Sequence, residues 1–203
     1  MSSVRRALQR TDGYLPIGEY ALLSDCHSAA LVGRDGSIDW LCLPRFDSPA
    51  LFARLLDPGA GHWQIAPSDA GYEAERRYLP GTLVLETTFR TATGAVRMTD
   101  AMCFEEDQRG HAVGQHAPHQ LARLVEGVEG DVEMEMTLAP RPEYGLVRPL
   151  IRVTEDGART FGGPNQIGVR SDHAVSVADD AMRASFRLAA GARPSGAPAC
   201  PHR

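Results

Sequence analysis

The stretch Asp131–Leu138 constrains the fold of this chain more than any other. Val132, Met134, Met136 and Leu138 alternate with Asp131, Glu133, Glu135 and Thr137. Successive side chains of a strand point to opposite faces, so the segment has one oily face and one acidic face. That is the signature of a half-buried antiparallel strand, since strands of a parallel sheet are buried on both sides and read as continuous apolar runs. Met182–Leu188 repeats the pattern, with Arg183, Ser185 and Arg187 facing outward.

Shorter extended segments recur through the rest of the sequence. Tyr20–Ser24 and Ser28–Val32 lead to Asp35-Gly36, which can supply the two positive-φ positions of a tight hairpin turn, and Ser37–Leu43 returns as an apolar strand. His62–Ala66, Tyr72–Leu79, Thr82–Arg90 and Ala95–Met102 follow, separated by Pro, Gly, Ser, Asp and Thr. One short helix is expected after Ser48-Pro49, a hydroxyl cap followed by proline at the first helical position. Leu51, Phe52, Leu55 and Leu56 would be its apolar face, and Asp57-Pro58-Gly59 its end. Glu105–His119 is polar and aperiodic and reads as an exposed loop. The expected fold is therefore all-β, an antiparallel β-sandwich with one short helix. Residues 1–13 form an N-terminal extension, 14–191 the sandwich, and 192–203 a Pro/Ala/Arg-rich disordered or aberrant tail.

At 203 residues the chain is long enough to bury roughly 70% of its unfolded surface without help from metal or disulfides. A net charge of −5 argues against nucleic acid or an anionic membrane as partner, because both require a basic face. Cys26, Cys42, Cys103 and Cys200 are widely spaced and form no C-x-x-C pair, which fits a reducing compartment. No apolar run follows Arg5, Arg6 and Arg10, so the start is not a secretory signal, and a cytoplasmic location is expected.

Few residues suggest chemistry. Hydrolysis of a glycosidic bond needs two opposed carboxyl groups, one of them desolvated enough to stay protonated. Glu105-Glu106-Asp107 and Asp179-Asp180 are neighbours in expected loops, and Asp131, Glu133 and Glu135 form one solvated face, so no catalytic residue is assigned. Cys103, His111, His116 and His119 match no compact metal-ligand spacing, and neither metal nor other cofactor is expected. Cys26 and His27 are adjacent on an expected strand and would point apart. Trp40 and Trp63 lie among apolar neighbours and are expected in the core, as are Tyr72 and Tyr78, which share a strand face; an exposed sugar platform is the alternative. The loop Pro44–Pro49 is the best candidate for ligand contact. Arg45, Phe46 and Asp47 sit between a strand and a capped helix, and Arg with Asp suits sugar hydroxyls, a structural ion pair or a helix cap equally well.

The run from Tyr14 to Trp63 closely resembles the N-terminal domain of glycoside hydrolase family 15, the bacterial glucoamylase/trehalase-like group. Its most specific blocks are Asp35–Trp40 and Pro44–Pro49. Arg77–Thr82, Leu85–Phe89, Val96–Asp100 and Leu138–Arg141 extend the resemblance to about Leu188. It implies a supersandwich-like β-domain that packs against a C-terminal α/α barrel and serves inverting hydrolysis of an α-glucoside or trehalose. The catalytic glutamates of that family lie on barrel loops, and this sequence contains no barrel, so none is transferred. The resemblance thus implies a non-catalytic domain whose partner is the barrel, in a truncated or frame-shifted product inactive alone and open to self-association. The alternatives are an independent carbohydrate-binding module and a non-functional gene remnant.

Overall fold

The computed structural model describes residues 5–6, 10–105, 110–163 and 166–193. Its strands in chain order are β1 (Arg5–Arg6), β2 (Tyr20–Ser24), β3 (Ala29–Gly33), β4 (Ser37–Cys42), β5 (Ala50–Phe52), β6 (His62–Pro67), β7 (Glu73–Tyr78) and β8 (Leu85–Arg90). They continue with β9 (Gly94–Met102), β10 (Leu121–Ala139), β11 (Leu150–Thr154), β12 (Gly157–Phe161), β13 (Gly168–Arg170), β14 (Ser176–Ala178) and β15 (Ala181–Ala189). All pairings are antiparallel.

β10 organises the molecule. Its first half pairs with β9, which continues through β8 and β7 to β1; its second half pairs with β15 on one side and β6 on the other, leading through β4 and β3 to β2. The register shifts between Gly127 and Glu129, leaving Val128 as an extra residue. Such a bulge bends a strand, and here it falls where β10 passes from one sheet to the other. Gly127 is needed at the crossing because a Cβ there would collide with the Ala189 carbonyl oxygen.

The expected alternation holds through the second half of β10: Val132, Met134, Met136 and Leu138 are buried, and Asp131, Glu133 and Glu135 are exposed. Burying these four side chains contributes on the order of 6–12 kcal/mol of gross hydrophobic stabilisation. Val132, Met134 and Met136 meet Tyr72, Ala74, Phe89, Val96 and Met98 of the opposite layer in one core cluster. A second cluster joins β2, β3 and β4 to Ile151, Ala158 and Val169. Those three residues come from a separate sheet, β11–β12–β13, which sequence periodicity did not suggest.

Polar contacts also tie the sheets together. Arg123 of β10 and Asp100 of β9 are fully buried and bonded at 2.9 Å. The same guanidinium donates to the carbonyl oxygens of Trp63 and Gly36, each at 2.7 Å. The Tyr78 hydroxyl bridges Leu22 on the free edge of β2, accepting from its N–H at 2.8 Å and donating to its carbonyl at 2.9 Å. Edge strands expose unpaired backbone groups, and this ring covers one such pair.

The expected helix after Ser48-Pro49 does not form. Ala50–Phe52 is instead a buried strand paired with β4. The Ala53 and Arg54 N–H groups are then taken by the Ala60 and Gly61 carbonyls, so only a single turn closes at Leu56 and Asp57. Tertiary pairing outweighs a local capping signal worth about 1 kcal/mol. Cys26 and His27 also differ from expectation: they lie in the turn between β2 and β3, where Cys26 has φ 68°. Trp40 and Trp63 are half-buried. Trp40 packs on Cys42, Ala50, Ala53 and Ala60 and tilts against Tyr144, whereas Arg123 lies over the Trp63 ring. Tyr72 is buried edge-on to Phe89, while Tyr78 is partly exposed. Among the described residues no helix is long and apolar enough to cross a membrane, and Cys26 and Cys42 are free thiols.

Candidate functional site

Arg45, Phe46 and Asp47 lie together on the surface between β4 and β5. The preceding Leu43–Pro44 peptide is cis. Arg45 Nε donates to Asp47 Oδ1 at 2.9 Å, and both side chains are about seven-tenths exposed. The neighbouring guanidinium holds the Asp47 carboxyl below its ordinary range, chiefly through that hydrogen bond. Asp47 is thus paired with Arg45, and with no helix following, the capping role falls away. The Phe46 ring is 59% exposed. An open aromatic face beside a fixed guanidinium–carboxylate pair offers a stacking surface together with hydrogen-bond donors and acceptors.

The loop is anchored at both ends and in the middle. Ser48 N–H donates to the Arg45 carbonyl at 3.1 Å, and Arg45 N–H donates to Ser48 Oγ at 3.2 Å. Phe46 N–H donates to the carbonyl of His27, 2.8 Å away. The turn that carries His27 is held by Asp25, whose Oδ1 accepts from the N–H groups of His27 and Ser28 at 3.0 and 2.7 Å. Ser28 Oγ in turn donates to the Cys42 carbonyl. The His27 ring meets His119 edge-on at 5.8 Å. Neither Asp25 nor His119 was marked as part of this site by the sequence. Asp25-Cys26-His27-Ser28 could have been read as a side-chain-supported turn; His119, 94 residues further on, carries no local signal.

The Asp35–Trp40 block lies elsewhere, with Asp35–Asp39 buried and Trp40 half-buried. Asp35 accepts from Arg10 Nε at 2.8 Å, and Arg10 Nη2 stands 2.8 Å from Asp39 Oδ2. Asp39 also accepts from Tyr20 at 2.7 Å and from Ser37 at 2.5 Å. Burial, followed by the bond to Asp39, pushes the Tyr20 phenol far up. Near this network, His62 is held down to about 4, first by burial and then by Arg54. Gly36 has φ 76°, and a Cβ there would strike the Ile65 carbonyl oxygen. The buried residues of this block build the fold.

The remaining acids and ligand types are dispersed. Asp131 and Glu133 lie beside Arg187 on an exposed strand face, and Asp179-Asp180 turn between β14 and β15. Glu106 and Asp107 lie outside the described residues. The buried carboxylates Glu19, Asp25, Asp35, Asp39 and Asp100 all accept structural hydrogen bonds. Cys103 is buried whereas His111 and His116 are exposed, and among the described residues no three His, Cys, Asp or Glu side chains gather in a metal-holding arrangement.

These features define a β-sandwich domain that presents a mounted polar loop instead of enclosing a site. The profile of trehalase-like N-terminal domains matches residues 3–189, and the chain belongs to that family. It is 41% identical over 141 residues to a trehalase of Mycolicibacterium smegmatis, a match covering 65% of this chain and 21% of that protein. It is 40% identical over 138 residues to a trehalase of Mycobacterium tuberculosis (64% and 20%), and 33% identical over 145 residues to trehalase 1 of Sulfolobus acidocaldarius (71% and 22%). The chain spans about a fifth of the length of these curated relatives. No solved structure gives a significant match.

Proposed function

We propose that this chain is the non-catalytic sandwich domain of a trehalase-like α-glucoside hydrolase, and that Arg45, Phe46 and Asp47 meet the sugar at the rim of a catalytic α/α barrel. The observation that carries the reading is the family match over residues 3–189, together with likeness to proteins called trehalases of which the aligned segments cover about a fifth. The loop supports the placement. It is exposed, yet fixed through His27 and Ser48 to the β2–β3 turn and to its own backbone. Ligand contacts concentrate on loops held by rigid scaffolds.

The described acids support a non-catalytic role. Inverting hydrolysis places two carboxyl groups about 6.5–9.5 Å apart around a water. The buried carboxylates here hold turns and ion pairs instead, and the acidic face of β10 is solvated.

Two measurements test the proposal. Purified chain incubated with trehalose, maltose or soluble starch is expected to release no glucose; steady turnover would overturn the non-catalytic role. In a complete protein carrying this domain, Asp47→Ala is expected to raise KM or lower kcat for trehalose severalfold with the melting temperature unchanged. Unaltered kinetics would remove the loop from the substrate path. Saturable binding of trehalose by the isolated chain at Phe46 would favour the independent carbohydrate-binding module.

A further inference from the structure

β2 is an edge strand with little defence of its own. Among the described residues it pairs only with β3. Tyr20, Ala21, Leu22, Leu23 and Ser24 include neither a charge nor a proline, the residues that ordinarily keep an edge from pairing with another chain. The other strands that end a sheet are protected differently: β1, β5, β13 and β14 are two or three residues long, and β11 carries Arg152. β2 has five residues, and Leu22 at its centre is 45% exposed.

What covers this edge is one side chain from the other sheet. Backbone groups of alternate residues in an antiparallel strand point to opposite edges, and those of Leu22 point away from β3. The Tyr78 hydroxyl accepts the Leu22 N–H at 2.8 Å and donates to the Leu22 carbonyl at 2.9 Å, so it makes both bonds that a residue of a neighbouring strand would make. The Tyr20 N–H is taken by the Ile17 carbonyl, which leaves Leu22 as the point where the edge can open. Two arginines hold the strand of Tyr78 in place. Arg76 Nη1 donates to the Val32 carbonyl at 3.0 Å, and Arg34 Nη1 donates to the Ala74 carbonyl at 3.2 Å. Tyr78 belongs to the Arg77–Thr82 block of the family resemblance, which the Arg45–Asp47 loop does not involve.

We propose that Tyr78 is a gate on the β2 edge, and that the partner it holds off is a second copy of this chain, adding its own β2 across a two-fold axis at Leu22. An antiparallel pair of identical strands is self-complementary. With Leu22 opposite Leu22, each N–H reaches the other's carbonyl, and Tyr20 faces Ser24. The two central bonds take the place of those to Tyr78, and the two exposed leucine side chains come into contact. While the hydroxyl is in place the edge is already satisfied, and a second strand has to displace the ring to pair.

The test is sedimentation velocity on the whole 203-residue chain over a concentration series. Tyr78→Ala removes both hydroxyl and ring. It is expected to dimerise with a Kd at least roughly tenfold below that of any wild-type self-association, the scale of two added backbone bonds. Y78A/L22K sets two like charges opposite each other at the centre of the pair and is expected to return to wild-type behaviour. Hydrogen exchange locates the interface: protection of the Leu22 amide is expected to rise with protein concentration in Y78A and to stay constant in the wild type. Association of Y78A no stronger than that of the wild type overturns the proposal, as does association that persists in Y78A/L22K or leaves the Leu22 amide unprotected. Should Y78A not fold, Y78F, which keeps the ring but frees both Leu22 groups, is held to the same outcomes. No sugar takes part, so the result is readable whether or not the Arg45–Asp47 loop meets substrate.

Discussion

Asp39 and Asp47 are eight residues apart, and each stands within 2.9 Å of an arginine nitrogen. The two pairs nevertheless do opposite work. The Arg10–Asp39 side chains are 13% and 0% exposed and share Tyr20, Ser37 and Asp35 as partners, while those of Arg45–Asp47 are 68% and 73% exposed and share only the loop. Equal distance does not mean equal energy. In the interior each charge has been stripped of water and depends on its partner, whereas at the surface water and salt replace the partner at little cost. Both aspartates fall within one motif-rich run of sequence, so resemblance to a family marks scaffold and presented residues alike.

The largest expected effect is at the buried pair. Asp39→Ala leaves the Arg10 guanidinium short of a carboxylate and the Tyr20 and Ser37 hydroxyls without their acceptor, and should destabilise the fold by about 3 kcal/mol. Urea unfolding of the isolated chain measures this directly, and a loss below about 1 kcal/mol would show that the network relaxes as easily as a surface pair.

A smaller effect sharpens the same contrast through pH. His62 beside the network titrates near 4 in the folded protein, below the ordinary 6.5. The unfolded chain therefore takes up a proton first as the pH falls from about 6.5, and stability drops until the folded form is also protonated near 4. Between pH 7 and pH 5 this amounts to about 1–2 kcal/mol, discounted for the part of the ring that water reaches. His62→Gln should remove that slope; a variant with the wild-type pH profile would exonerate the histidine.

The smallest effect belongs to the exposed pair. Asp47→Ala is expected to leave the urea midpoint unchanged at low and high salt, because the loop stays anchored by His27 and Ser48. A salt-sensitive loss of stability would show that Arg45–Asp47 is structural after all.

The regions that were legible in the sequence are those where neighbouring residues decide the outcome. The face of Val132, Met134, Met136 and Leu138 was readable because a strand sorts its side chains locally. The exposed position of Arg45, Phe46 and Asp47 between two apolar segments was readable for the same reason. The segment after Ser48-Pro49 was misread as a helix because the Ala53 and Arg54 N–H groups are taken by Ala60 and Gly61, which no local window contains. β11, β12 and β13 are short and carry exposed Leu150 and Val153 beside buried Ile151, which blurs their alternation. Asp25 and His119 were invisible as a pair because their contact is made by the fold alone.

The 19-residue strand β10 belongs to both sheets, and this bears on how the domain comes apart. In a sandwich of two independent sheets, one layer can peel from the other while each keeps its own hydrogen bonds. Here the strip Leu121–Gly130 cannot leave β9 without pulling on Asp131–Ala139, which sits between β15 and β6. Damage at one end of the domain is thereby transmitted along a single covalent rod to the other. The layers have no separate fates, and the domain gains or loses its structure as one cooperative unit.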